Sequence, residues 1–495
     1  MTSDNRASLG DVEAAEMRAH LHRVADWVAD YREGIGQRRI VPAVVPGDIT
    51  ARLAESMPEH GEALETILAD FDRQVMPGIV HWGHPAFLGY FGSTSNGPAL
   101  LGETLAAALN VSAMTWKTSP AATELETLVL AWIRDLVGLP AEMFGIVYDT
   151  ASVAVLHALA AARERAFPGS RQEGMTGRHD VPRLRVYASD QAHSSVDKAM
   201  VMLGLGEANV VRIQCDDEFR MDVGALRRAI DDDVSLGYRP MAVVATVGTT
   251  SSASVDPVKQ IAEVCAAHGA WLHVDAAYGG AFGALPEGRW VTDGFERADS
   301  IVVNPHKWLF VPLDFSTLYV RDPRALREVF VNTAEYLRGD ANVAGKGEVI
   351  NYMDYGVQLG RRFRALKAWM VLRAFGAEGM VSRIREHCRL AALLASWVEA
   401  EPSFELVAPV MMAVVCFRFS PAGTDPRAID ALNERVVEQV NASGDAYLTH
   451  TRLSGRTCMR VGIGNILTTE AHLAHVWSCV RREVPAGERR TGMIG

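Results

Sequence analysis

The chain has 495 residues, a net charge of −11, and 48% hydrophobic against 22% charged residues. That balance excludes a disordered chain. The acidic excess, with no Lys/Arg cluster, excludes a general affinity for nucleic acid or anionic membranes.

Residues 1–17 lack an apolar core and carry acids early, so no signal peptide is expected. No apolar run approaches the roughly 18 residues of a membrane helix. Six cysteines are widely spread without a C-x-x-C pair. They read as reduced thiols of a cytoplasmic protein, several of them buried.

The spacing of Met17, Leu21, Val24, Val28 and Tyr31 predicts an amphipathic helix over 11–33, stopped by Gly34 and Gly36. Its stripe needs a surface to cover, either on the main body or on a second subunit. Residues 37–95 are rich in Pro and Gly and hold one further amphipathic segment at 61–75. The whole of 1–95 reads as an N-terminal helical arm.

From there apolar runs of strand length alternate with helical segments. Strands are expected at 144–148, 184–189, 209–214, 241–247, 271–278, 300–304 and 316–320. Their near-continuous Val/Ile/Ala content marks strands covered on both faces, hence an α/β fold with a mostly parallel seven-stranded sheet. Residues 96–375 form this large domain, interrupted by a Gly-rich loop at about 330–352, and loops of that length are usually functional. Residues 376–495 read as a small α+β domain with strands at 404–420 and 457–465.

In such sheets ligands sit beyond the carboxyl ends of the strands. The polar residues there are Asp149-Thr150-Ala151-Ser152, His193-Ser194-Ser195, Thr249-Thr250, Asp275, and Asn304 with His306 and Lys307. Taken singly, Asp149-Thr150 reads as a helix cap, His193 as a loop residue and Thr249-Thr250 as a turn. Asp275 and Lys307 resist that reading, because a carboxylate and an ammonium among apolar neighbours each need a partner. They could pair with each other, or both could serve a bound cofactor. A desolvated lysine attacks an aldehyde as the free amine. Pyridoxal phosphate (PLP) uses such a lysine, an acid beside its pyridine nitrogen, and hydroxyls with a helix N-terminus for its phosphate.

The motifs 300-SIVVNPHKW-308, 273-HVDAAYGG-280, 246-TVGTTSSASVD-256, 191-QAHSSVDKA-199, 119-SPAATELE-126 and 359-LGRRFRALKAW-369 resemble the group II PLP-dependent decarboxylases, and among them the aromatic-L-amino-acid decarboxylases. The resemblance runs from about residue 15 to about residue 480. It implies the fold of the type I, aspartate aminotransferase-like PLP enzymes and a homodimer with the N-terminal arms, residues 1–95, packed on the partner subunit and the active sites at the subunit interface. It also implies that Lys307 forms the Schiff base, Asp275 protonates the ring nitrogen, His193 stacks on the ring and Ala277 packs on the other face. Thr250 then lies near the ring substituents, and Thr150, Ala151, Ser152, Asn304 and His306 surround the phosphate. No metal is implied. A loop tyrosine completes the family's mechanism by protonating the substrate carbon; counting back from 359-LGRRF-363 gives Tyr352.

The substrate-binding positions carried over are Trp82, Tyr90, Phe91, Gly92, Ser93, Ser112, Met114 and Gly360. Three departures stand out. Asp149 replaces a glycine before the phosphate residues. Gly92-Ser93 replace a Pro-Thr. Ser112 and Met114 replace an Ile and a Phe that the partner subunit contributes. The implied activity is decarboxylation of an aromatic (indolic or phenolic) or large apolar L-amino acid to its amine. Three alternatives remain: decarboxylation coupled to oxidative deamination, a branched aliphatic substrate, and a catalytically silent scaffold.

Overall fold

In a computed structural model the chain is described over residues 11–53, 56–92, 94–331 and 349–485. Seven strands build the central sheet: β1 (Phe144–Tyr148), β2 (Leu184–Ser189), β3 (Val210–Ile213), β4 (Arg239–Thr246), β5 (Trp271–Asp275), β6 (Ser300–Val303) and β7 (Ser316–Val320). Their spatial order is β1-β7-β6-β5-β4-β2-β3. Pairs β2–β3, β2–β4, β4–β5 and β5–β6 are parallel, and only β7 runs against its neighbours. The strands expected at 144–148, 184–189 and 316–320 are found as expected, while those at 241–247, 271–278 and 300–304 stop one to three residues early, at Thr246, Asp275 and Val303.

β5, β6 and β7 are buried along their whole length, as double-faced cover requires. Helices such as Ala151–Ala166 and Val258–His268 supply that cover and carry the chain back between strands. The consequence for function is geometric. The carboxyl ends of β1, β2, β4, β5 and β6 come out on one edge, and the polar residues after each strand meet there.

A second sheet, antiparallel, has the order β10-β11-β9-β8, with β8 at Phe404–Leu406, β9 at Val414–Phe419, β10 at Thr449–Leu453 and β11 at Arg456–Gly462. The single run expected at 404–420 is two strands. β10 was not expected, because its alternating exposure over Thr449–Leu453 leaves no apolar run.

Part of the N-terminal region packs on the body of its own chain. Ile40, Ala86, Phe87 and Leu88 are buried. Leu88 N–H donates to Tyr447 O (2.9 Å), and Gly462 N–H donates to Leu88 O (2.9 Å). Residues 86–88 thus run along the C-terminal sheet of their own chain. The helices Ala14–Glu33 and Leu64–Asp70 behave otherwise. Trp27 and Phe71 meet edge to face at 5.4 Å, while Leu21, Val24 and Ile67 stay exposed. Of the described cysteines none is in a disulfide, and four of the six are buried. No helix among the described residues is long and apolar enough to cross a membrane.

Candidate active site

A cavity of about 170 Å³ opens at the strand ends, lined by Thr150, Ala151, Ser152, His193, Thr246, Gly248, Thr250, Asp275, Ala277, Tyr278, Asn304, His306 and Lys307. All ten residues assigned to the cofactor from the sequence are among them. Larger cavities elsewhere, including one near Asp256, touch none of these residues.

Each wall has a local cause. Asp275 closes β5, and its Oδ1 accepts the N–H of Ala277 at 3.1 Å, which turns the chain sharply beside the cavity. Asp275 is 6% exposed, and no cation forms an ion pair with it among the described residues. A buried carboxylate with one backbone donor calls for a cationic partner that fills the cavity. Gly248 has φ +85, and a Cβ there would lie 2.7 Å from Gly279 N. Glycine is therefore what lets the loops after β4 and β5 meet.

Lys307 lies in the short helix Pro305–Trp308 that follows β6. Its Nζ sits 4.9 Å from the centre of the Phe91 ring. Burial pushes its pKa below the ordinary lysine value; Asp275 pulls it back up and Arg460 lowers it further. No ion pair links Lys307 to Asp275 among the described residues, so the pairing of these two charges considered above is not formed.

Both cavity histidines are held neutral. Burial lowers the pKa of His193, against the pull of Asp275. Its Nδ1 accepts Ser195 N–H at 3.1 Å, which leaves Nε2 to carry the proton. His306 is lowered to about 3, by burial first and Lys307 second, and its Nδ1 accepts Phe315 N–H at 3.0 Å. Asn304 Oδ1 accepts the Ser316 hydroxyl at 2.6 Å, which fixes its amide.

Thr150 precedes the helix Ala151–Ala166, and its own side chain makes no cap bond. The first N–H groups of that helix therefore face the cavity without intrahelical partners. With Asp275 uncompensated, a lysine of lowered pKa and these free donors, the cavity fits PLP.

The substrate positions divide. Phe91 stands against the cavity, stacked on Tyr278 with ring centres 3.9 Å apart. Trp82 stacks on Tyr90 at 5.4 Å, and Tyr90 reaches Tyr447, hydroxyl to hydroxyl, at 3.3 Å. Gly92 adjoins Phe91, and Ser93 lies outside the described residues. Ser112, Met114 and Gly360 gather elsewhere, around Arg361. Arg361 N–H donates to Ser112 Oγ (3.4 Å), and Met353 N–H donates to Met114 O (3.1 Å). Within one chain this second group lines no wall of the Lys307 cavity.

Tyr352 requires a correction. It is 2% exposed, with its hydroxyl 2.9 Å from Thr127 Oγ1 and its ring near Phe144 and under the Arg361 guanidinium. In the single chain this side chain lines no wall of the Lys307 cavity. The expected loop at 330–352 falls mostly on residues 332–348, outside the described residues.

Sequence reasoning missed Thr246, Gly248 and Tyr278 in the wall, and Arg460. Arg460 lies on β11, 3% exposed, with its guanidinium 4.6 Å from the Phe91 ring. It donates to Thr250 O at 2.8 Å and to Tyr90 O at 2.7 Å, tying three distant segments together. The signal was present as one arginine inside the apolar run 458-CMRVGI-463.

The Pyridoxal-dependent decarboxylase conserved domain matches residues 46–420. The chain belongs to that family. It is a carboxy-lyase, and PLP is its cofactor. Its sequence is 36% identical over 483 residues to phenylacetaldehyde synthase of Arabidopsis thaliana, covering 96% of this chain and 97% of the relative. It is 37% identical to tryptophan decarboxylase 2 of Oryza sativa subsp. japonica, with 96% of each covered. A crystal structure of Oryza sativa TDC with PLP and tryptamine superposes with a TM-score of 0.91 at 36% identity, covering 96% of this chain and 98% of that one. The fold is thus that of the type I PLP enzymes.

Proposed function

We propose that this decarboxylase acts on an aromatic L-amino acid, releasing carbon dioxide and the corresponding amine. The observation that carries the residue assignment is the buried, unpaired Asp275 in one cavity with a lysine of lowered pKa. Bound there, PLP supplies an electron sink for the pair left when the carboxylate departs. Lys307 Nζ would hold the cofactor at its aldehyde, for which the free-amine form is needed. Asp275 holds the proton on the ring nitrogen. His193, neutral and with its proton on Nε2, packs against the ring. Thr150, Ala151, Ser152, Asn304 and His306 receive the phosphate. With the cofactor supplying the electron sink, the part left to the chain's own residues would be to bind and orient the substrate rather than to supply an acid for cleavage.

The aromatic side chain is taken by Phe91 with Trp82 and Tyr90. Ser112, Met114 and Gly360 serve the site across a homodimer interface. Supporting that dimer, Leu101, Leu105 and Leu109 form a stripe 61%, 51% and 58% exposed on the helix Gly97–Leu109. The uncovered faces of the helices Ala14–Glu33 and Leu64–Asp70 point the same way. The free cysteines suit a cytoplasmic location.

The loop-tyrosine role passes from Tyr352 to Tyr336, the one tyrosine in 332–348. Its hydroxyl would supply the proton that the substrate carbon takes up after carbon dioxide leaves.

A second reading has a specific support in the Arabidopsis relative's name: amino acid, dioxygen and water would give aldehyde, carbon dioxide, ammonia and hydrogen peroxide. A screen of tryptophan, 5-hydroxytryptophan, phenylalanine, tyrosine, dihydroxyphenylalanine, valine and leucine separates the readings. Amine from an aromatic substrate without peroxide supports the first. Stoichiometric peroxide and ammonia overturn it in favour of the second. Turnover confined to valine and leucine overturns the aromatic assignment.

A further inference from the structure

We infer that Asp149 is an internal competitor for the cofactor's phosphate, one that stabilises the cofactor-free enzyme and loosens its hold on PLP. The inference rests on reading Thr150–Ser152 as the phosphate site.

Asp149 follows β1 directly and stands one residue before Thr150. Its Oδ1 accepts the N–H of Thr150 at 2.8 Å. Its Oδ2 accepts Gln358 Nε2–H at 3.4 Å. No ion pair involves Asp149 among the described residues. A carboxylate at a helix N-terminus satisfies a backbone donor and the positive end of the helix dipole. Thr150 is the N-cap of the helix Ala151–Ala166, so Asp149 occupies the cap N–H and sets a negative charge beside the helix's own free N–H groups.

A phosphate monoester carries about −1.5 to −2 charges at pH 7. The cavity offers little to balance that. Lys307 is the one lysine or arginine among the lining residues, and it is committed to the aldehyde end of the cofactor. Both histidines, His193 and His306, have their pKa lowered by burial. The phosphate is left to backbone N–H and hydroxyl donors, one of which Asp149 already occupies. An uncompensated carboxylate beside those donors repels the phosphate and gains nothing from the aldehyde end of the cofactor. A glycine there, the residue expected from the family resemblance, has neither effect.

The test separates the two ends of the cofactor. Cofactor-free enzyme is titrated with PLP and with pyridoxal, which lacks the phosphate, and binding is followed by absorbance. Asp149→Asn keeps the acceptor to Thr150 and removes the charge; Asp149→Gly removes both. Both variants are expected to bind PLP about tenfold more tightly at low salt, with pyridoxal affinity unchanged. The cofactor-free Asp149→Gly variant is expected to melt lower than the wild type, and saturating PLP to close that gap. Unchanged PLP affinity, or PLP and pyridoxal shifting together, overturns the role of Asp149. A wild-type enzyme that binds pyridoxal as tightly as PLP overturns the phosphate site itself, and this inference with it.

Discussion

The hydroxyls of Tyr352 and Thr127 lie 2.9 Å apart in the interior, with the Tyr352 ring under the guanidinium of Arg361. This places Tyr352 in the support of the site. Tyr352→Phe should cost about 1 kcal/mol of stability, the ordinary worth of one buried hydrogen bond, and leave the product mixture as it was. Tyr336→Phe should change the product mixture. Product analysis by chromatography, with urea denaturation of both variants, checks the pair. A product change in Tyr352→Phe alone would return the catalytic role to Tyr352.

Lys307 gives a pH signature. The unfolded chain keeps its proton up to the ordinary lysine value of 10.5; the folded chain, where burial dominates, releases it earlier. Between those two points the unfolded state holds more protons, so stability rises with pH through the window. Below it the burial penalty is fully present. Cofactor-free Lys307→Met should therefore be more stable than wild type at neutral pH, and the advantage should shrink as pH approaches 10.5. Denaturation across that range measures it. Borohydride should fix PLP onto the wild type and not onto the variant.

Arg361 and Glu126 form a buried ion pair at 2.6 Å, 4% and 2% exposed at the side chains. Arg361 also donates to Ala113 O and Val147 O, and Glu126 accepts Val147 N–H. The pair thus fixes the end of β1 just before the phosphate turn. Arg361→Met alone leaves a buried carboxylate unpaired and should cost about 3–5 kcal/mol. Glu126→Leu together with Arg361→Met should recover part of that, read from chemical denaturation. Equal losses in the single and double variants would show that the backbone contacts, and not the charges, matter.

Leu105 lies mid-stripe on the helix Gly97–Leu109 and half exposed in the single chain. If the proposed dimer forms through this face, Leu105→Glu should leave circular dichroism unchanged, give a monomer in sedimentation where the wild type gives a dimer, and abolish turnover. A variant that stays dimeric and active would remove this face from the interface.

Much of the site was legible because strand ends announce themselves. An apolar run that stops at a polar residue gave Asp149, His193, Thr250, Asp275 and Asn304, and the parallel topology then forces those ends together. Two kinds of residue escaped. Tyr278 and Thr246 look like core by composition and become walls only where the loops fold over. Arg460 sits in a different sheet, more than 150 residues after Lys307, and no local pattern relates the two. Tyr352 was misassigned because counting along a loop gives a position and no direction. Its side chain turned inward, to Thr127 and Arg361.

By itself the sequence determined the class of fold, from burial period and strand length, and singled out a lysine and a carboxylate among apolar neighbours as candidates; the reaction family came from the resemblance of its motifs. Only the tertiary structure decided which charges stay unpaired, that Arg460 holds Thr250 and Tyr90, and that Ser112, Met114 and Gly360 line no wall of the Lys307 cavity. Those facts depend on through-space distances between segments the chain brings together only after both sheets have formed.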